Sequence, residues 1–322
     1  MRVLTIHSHH WRTILMAVAL LAMLTAAACS NDDSPSSSDT TPETAGVSGF
    51  PFTFIDSGET AVVFEAPPDR IISYSPGATE ILFAIGAGDQ VIATDDFSNF
   101  PEAVLTLPKL TYSNPGPEPA VALDPSVVIM ASQQEQQVDQ FRELGMRVLF
   151  VREAESLEGV LQNIAELGAL TGHRDEADAL VASLQSRIDA VAEALTNVET
   201  GPVVFYELDS TLYTVSPETF IGGLLTVLKA RNVAAGSTSP FPQLTAEALI
   251  AADPEVIILA DAAFGESLES VSARPGWSGV SAVVNRQVFG VDPDVMSRPG
   301  PRIVEALEIL AELLYPESFG GS

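Results

Sequence analysis

One cysteine, four histidines and two tryptophans are all that the 322 residues contain of these types. A lone cysteine, Cys29, cannot close an internal disulfide, and it excludes a Cys-rich metal site. Three of the histidines, His7, His9 and His10, crowd into the first ten residues, which leaves His173 alone in the rest of the chain. That argues against a zinc or manganese centre, because zinc is most often held by neutral imidazole. It also argues against an enzyme of the Ser-His-Asp or Cys-His kind, which needs a histidine beside its nucleophile. Basic residues are few as well: 15 Lys and Arg against 43 Asp and Glu give a formal net charge of −28. Such a surface repels nucleic acid and anionic lipid headgroups. Carboxylates are abundant enough to form hydrolytic pairs, but no motif arranges them as one. Long apolar runs are also missing. The longest, ILMAVALLAMLTAAAC from Ile14 to Cys29, is about fifteen residues where a bilayer span needs roughly 20.

What is present at the start is a different pattern. Arg2 and Arg12 flank a polar opening, the apolar run follows, and Ala26, Ala27 and Ala28 lead into the cysteine. A basic start, a short apolar stretch and small residues before a cut are the marks of a secretory signal, here residues 1–28. The ending resembles the lipobox of bacterial lipoproteins, in which the cysteine becomes a lipidated N-terminus. The place three before the cysteine, usually Leu, is Ala26 here. Residues 29–49, SNDDSPSSSDTTPETAGVSG after Cys29, hold almost nothing apolar. Such a stretch buries too little surface to offset its ordering entropy and reads as a solvated tether.

From residue 50 onward the chain repeats itself. EPAVALDPSVVIM (118–130) and EALIAADPEVIIL (247–259) share Glu, Ala, Asp-Pro, Val and Ile in one register. Each copy reads as a short helix stopped at Asp-Pro, since proline cannot continue a helix and restrains its predecessor. A buried parallel strand follows. Around the copies, short β-type runs (RIISYSP, QVIATDD, RVLFV; then PVVFYEL, RQVFGVD) alternate with helical stretches such as ATEILFAIGAG, EQQVDQFRELGM and FIGGLLTVLKA. That alternation predicts parallel βαβ units in two lobes, 50–170 and 200–322. Between them, Ala177, Leu180, Val181, Leu184, Ile188, Val191 and Leu195 fall at spacings of three and four. They predict one amphipathic helix within 171–199, reaching roughly 35 Å at 1.5 Å per residue. The fold class is thus α/β: two Rossmann-like lobes with parallel sheets, bridged by a single long helix.

Both repeats open on a glutamate at a helix start, where an acid gains roughly 0.3–1 kcal/mol from the macrodipole. That account leaves aside the aromatic residue six places before each, Tyr112 and Phe241. The segment from Arg70 to Leu110, the two repeats, LYTVSPETFIGGLL and SRPGPRIVEALEILA resemble the periplasmic-binding-protein family of the cobalamin and ferric-siderophore type. The resemblance runs from Arg70 to Tyr315. It implies a class III binding-protein fold and a monomeric, extracytoplasmic lipoprotein, held through Cys29 to the outer face of the cell membrane or lying in a periplasm. It also implies delivery of a small metal chelate to the permease dimer of an ABC importer, with no catalysis and no cofactor of its own. Glu118 and Glu247 match the family's permease-docking positions. Phe97, Tyr112, Tyr206, Phe241, Asp294 and Arg298 match its ligand cleft; Phe100 and Trp277 are assigned to packing. The ligand so implied is a corrinoid, with a ferric siderophore or haem as the alternative. Anionic siderophores meet several basic groups, and only Arg298 and Arg302 stand near the implied cleft.

Overall fold

A computed structural model describes residues 49–319. Cys29, the signal before it and nearly all of the tether lie outside the described residues. An antiparallel hairpin comes first, β1 (Phe52–Ile55) on β2 (Ala61–Phe64). It was not expected from the sequence, because four-residue strands of mixed exposure carry little periodic signal. Its turn closes around the buried Asp56 carboxylate, which accepts from the Gly58 and Thr60 amides at 2.9 Å each and from Arg142.

The first parallel sheet contains β3 (Ile71–Tyr74), β4 (Val91–Asp95), β5 (Lys109–Leu110), β6 (Val127–Met130) and β7 (Val148–Phe150), in the order β5-β4-β3-β6-β7. All of β3, β6 and β7 is buried, as a parallel sheet covered on both faces requires. Helix α1 (Pro76–Ala84) starts on Ser75, whose hydroxyl accepts from the Ala78 amide, with proline in the first turn. Helix α2 (Glu118–Ala122) leads into β6 and α3 (Val138–Glu143) into β7. The helix expected over EQQVDQFRELGM is divided, and residues Ser132–Gln137 wind as a 3-10 turn. The cause is Gln134, which is buried. Its side chain accepts from the Ala131 amide and donates to the Tyr112 carbonyl, which ties this turn to a neighbouring loop.

Helix α4 (Leu157–Thr171) stops at Gly172, whose φ of 79° lies in the left-handed region that glycine enters freely. The chain then turns into α5 (Arg174–Ala194), 21 residues and shorter than the range expected from the sequence. Ala177, Leu184 and Val191 bury one stripe of α5, with Leu180, Val181 and Ile188 packed beside them. The second sheet takes β8 (Val203–Glu207), β9 (Arg231–Asn232), β10 (Val256–Leu259) and β11 (Val288–Gly290) in the order β11-β10-β8-β9, all parallel. Helices α6 (Phe220–Val227), α7 (Ala246–Ala252), α8 (Leu268–Ser272), α9 (Ser281–Val284), α10 (Pro293–Ser297) and α11 (Ile303–Leu314) surround it. A Cβ on Gly222 of α6 would stand 1.9 Å from the Ser216 carbonyl oxygen, so only glycine lets that loop lie on the helix.

The repeat in the sequence is a repeat in space. β6 lies between β3 and β7, and β10 lies between β8 and β11. Asp124 and Asp253, which end the preceding helices, hold φ of 47° and 45°, a conformation that Asp tolerates better than most residues. Buried side chains from β3, β6, β8, β10, α1, α4, α5 and α11 belong to one continuous cluster. The described residues accordingly fall within one compact unit.

Candidate functional site

Parallel strands deliver the residues that follow them to one edge of the sheet, where open α/β sheets place their ligands. Loops after β4, β5 and β7 carry Phe97, Tyr112 and Glu153, and the segment after β11 carries Asp294 and Arg298; together they bound a cavity of ≈ 270 Å³ between the sheets. A larger hollow of ≈ 460 Å³ lies at the opposite edge, among Asp124, Ser126, Leu144 and Arg147. It touches no candidate residue.

Four of the six residues expected to meet a ligand come together in the first cavity: Phe97, Tyr112, Asp294 and Arg298. The Phe97 and Tyr112 rings meet edge to face, 5.1 Å between centroids, within the range aromatic pairs prefer. Asp95, at the end of β4, shapes the Phe97 loop. Its fully buried carboxylate accepts from the Phe97 amide (2.8 Å), the Ser98 amide (2.9 Å) and the Ser98 hydroxyl (2.5 Å). Burial pushes this carboxyl up, and those hydrogen bonds offset it only in part. Tyr112 is held through its amide on the Asp96 carboxylate and its carbonyl under Gln134. Its phenol is pushed up to about 12, first by burial and then by the charges of Glu153 and Asp95.

Arg298 is not a free cation. It donates to the Asn99 side chain (2.6 Å) and the Phe97 carbonyl (2.9 Å), and it pairs with Asp294 at 2.8 Å and Glu80 at 3.7 Å. Asn99 returns a hydrogen bond to Asp294 at 2.9 Å. Arg302 grips the buried Glu80 at 2.6 and 3.0 Å and covers the Phe100 ring at 4.2 Å. Asp294, Arg298 and Arg302 therefore clamp the second half of the molecule to the first. A Cβ on Gly77 would stand 2.9 Å from the Pro299 carbonyl oxygen, so glycine permits the closeness of the two halves.

The remaining expectations need correction or relocation. Tyr206 points into the shared core, 1% exposed, and forms no part of the cavity wall. Phe241 is exposed on the loop before α7 and also lies outside the cavity lining. Trp277 is packed as expected, but Phe100 is 43% exposed beneath Arg302. Glu118 and Glu247 both stand exposed in the first turns of α2 and α7. Helices in βαβ units run against their strands, so both lie toward the ligand-side edge.

Other groups at that edge were not anticipated. Glu207, fully buried at the end of β8, receives both arms of Arg274, one at 2.6 Å; Arg274 also pairs with Glu266 and covers the Trp277 ring at 5.0 Å. Asp261, just beyond β10, is 5% exposed and neither of its oxygens has a hydrogen-bond partner. The available signal was the acid that closes each apolar run: VIATD, VVFYE, VIILAD and VFGVD. Among the described residues, no group of three or more His, Cys, Asp and Glu converges as a metal site.

Two parallel sheets sharing a core and a long helix, with a cavity where their loops meet, define a two-lobed binding protein. Residues 71–295 match the periplasmic binding protein family, and the chain belongs to it. An uncharacterized ABC transporter substrate-binding lipoprotein of Bacillus subtilis is 32% identical over 96% of this chain and 97% of its own length. A cobalamin-binding protein of Halobacterium salinarum is 28% identical over 94% of this chain and 84% of its own. The apo periplasmic heme-binding protein of Roseiflexus sp. RS-1 has the same fold, with a TM-score of 0.69 at 23% identity over 78% of this chain and 99% of that one. Both of these sequence relatives carry the names of binding proteins, and this chain is a binding protein rather than an enzyme.

Proposed function

We propose that the protein captures a cobalamin-type corrinoid between lobes 50–170 and 200–322, bridged by 171–199, and hands it to the permease dimer of an ABC importer outside the cytoplasm. The observation that carries the reading is the cavity itself, where an aromatic pair from one half faces a polar clamp from the other. Aromatic faces suit a large flat ring, and a few fixed polar groups orient it. A corrinoid is larger than ≈ 270 Å³, so the reading requires either that one edge of the ring enters or that the halves part. The relative named for cobalamin supports this ligand over others.

Haem is the second reading, favoured by a tyrosine hydroxyl in the cavity, since tyrosinate is a known haem ligand. The Tyr112 phenol is pushed up to about 12, which works against the deprotonated form that ligation needs. An anionic ferric siderophore is disfavoured differently, because Arg298 and Arg302 already spend their charge on Asp294 and Glu80.

Calorimetric titration with cyanocobalamin tests the ligand. One site of micromolar or tighter affinity is expected, and Tyr112→Ala should weaken it about tenfold, or roughly 1.4 kcal/mol. No heat at micromolar protein removes the corrinoid and leaves the transport class standing. Glu118 and Glu247 are assigned to permease docking, and Cys29 to lipid anchoring. Cys29→Ser is expected to move the protein from the membrane fraction to the soluble one; unchanged fractionation would refute the anchor.

A further inference from the structure

The cavity wall carries one carboxyl with no ion-pair partner among the described residues; burial pushes it up, and a hydrogen bond from the Gln133 side chain offsets that only in part. Glu153, in the loop after β7, is half-buried and lines the cavity, and among the described residues no lysine or arginine pairs with it. Asp294, the other acid on the wall, is neutralised by Arg298 at 2.8 Å. Arg298 in turn has its donors committed to Asp294, Asn99 and the Phe97 carbonyl. Lys109, the lysine behind this wall, donates to the Thr94 hydroxyl at 2.9 Å and the Ser98 carbonyl at 2.5 Å. Two further carboxylates, Asp95 and Asp96, stand behind the Phe97–Tyr112 pair. Burial first, and then the charges of Glu153 and Asp95, disfavour the Tyr112 anion.

We propose that Glu153 makes the cavity selective against anionic ligands, so that among corrinoids it takes those with amidated side chains and rejects those with carboxylates. The ligand class named here rests on the corrinoid reading above; the charge filter does not. An anion entering this half-buried space sheds water and meets a like charge, or else forces a proton onto Glu153. Both routes cost free energy. A primary amide instead offers N–H donors to the same carboxylate. The wall thus discriminates by repulsion as well as by attraction.

The test compares dicyanocobinamide, whose periphery is amidated, with dicyanocobyrinic acid, whose periphery is carboxylated, at neutral pH and low ionic strength. Wild type should hold the amide at least about 100-fold more tightly. Added salt should narrow that gap by screening, and Glu153→Gln should narrow it about tenfold by tightening the acid, the loss of one like-charge contact across a partly desolvated distance. Affinities within about threefold of each other, or a gap that Glu153→Gln leaves unmoved, overturn the proposal. Should neither corrinoid bind, the corrinoid reading falls alone and a second pair decides the filter. Cationic ferrioxamine B held, with anionic ferric enterobactin rejected, upholds the filter, and the reverse order overturns it. Binding of none of the four overturns both.

Discussion

Uptake of the ligand is expected to vanish in cells whose only copy of this protein carries Glu118→Ala and Glu247→Ala, while calorimetric affinity stays near that of wild type. The two glutamates hold equivalent places, opening the short helices that feed β6 and β10. Both are exposed, so neither supports the core, and the loss of a macrodipole contribution of roughly 0.3–1 kcal/mol each is a small change in stability. Across an interface the same carboxylates count for more. A hydrogen bond to a charged partner contributes about 1.5–3 kcal/mol, and in the docking proposed above two of them, set by one stiff core, would fix the orientation of the cavity over a two-fold symmetric permease. Single variants should fall between, because one remaining pair still tethers half of the contact. Transport of labelled ligand into cells, read beside affinity of the purified variants, makes the distinction. Normal transport by the double variant would reduce both residues to helix-end acids.

Arg274→Met is expected to cost about 3–5 kcal/mol of folding stability, the usual penalty for stranding one member of a buried pair. Glu207 is fully buried and Arg274 is partly buried, with Trp277 beneath the guanidinium. Burial pushes the Glu207 carboxyl up, and the Arg274 fork is what opposes it. Without the fork, that carboxyl lies higher still in the folded state than in the unfolded one. Its stabilising contribution is then complete below the unfolded value and is lost as pH rises through the folded one, because the buried group must ionise. The deficit of the variant relative to wild type should therefore be smaller in mild acid than at neutral pH. Denaturant unfolding at the two pH values measures it, and a deficit that ignores pH would sink the argument. Adding Glu207→Gln should recover part of the loss, since no charge is then left uncompensated.

The legible parts of this protein are those whose causes are local. Asp124-Pro125 and Asp253-Pro254 stop their helices through the geometry of neighbouring residues, so the duplicated unit could be read directly. The stripe of α5 was equally plain, although its length was overestimated because spacing says nothing about where fraying begins. Tyr206 was misplaced for an opposite reason. A parallel strand covered on both faces is apolar throughout, so its pattern does not tell which side chain meets the core and which meets the gap. Arg298 carries the same lesson. Its partners Glu80, Phe97 and Asn99 belong to the other half of the molecule, about 200 residues away. No spacing within the chain could reveal that its charge is already spent.

Periodicity, helix stops and the doubled motif were enough to establish two α/β halves, the long helix between them and an acid at the head of each copy. Those properties arise from contacts between near neighbours, and near neighbours are what a linear string records. Which aromatics face the cavity, which arginine is neutralised and which carboxylate is left unbalanced arose only when distant segments packed together. Charge and exposure at a site are sums over everything within a few ångströms, whatever its distance along the chain.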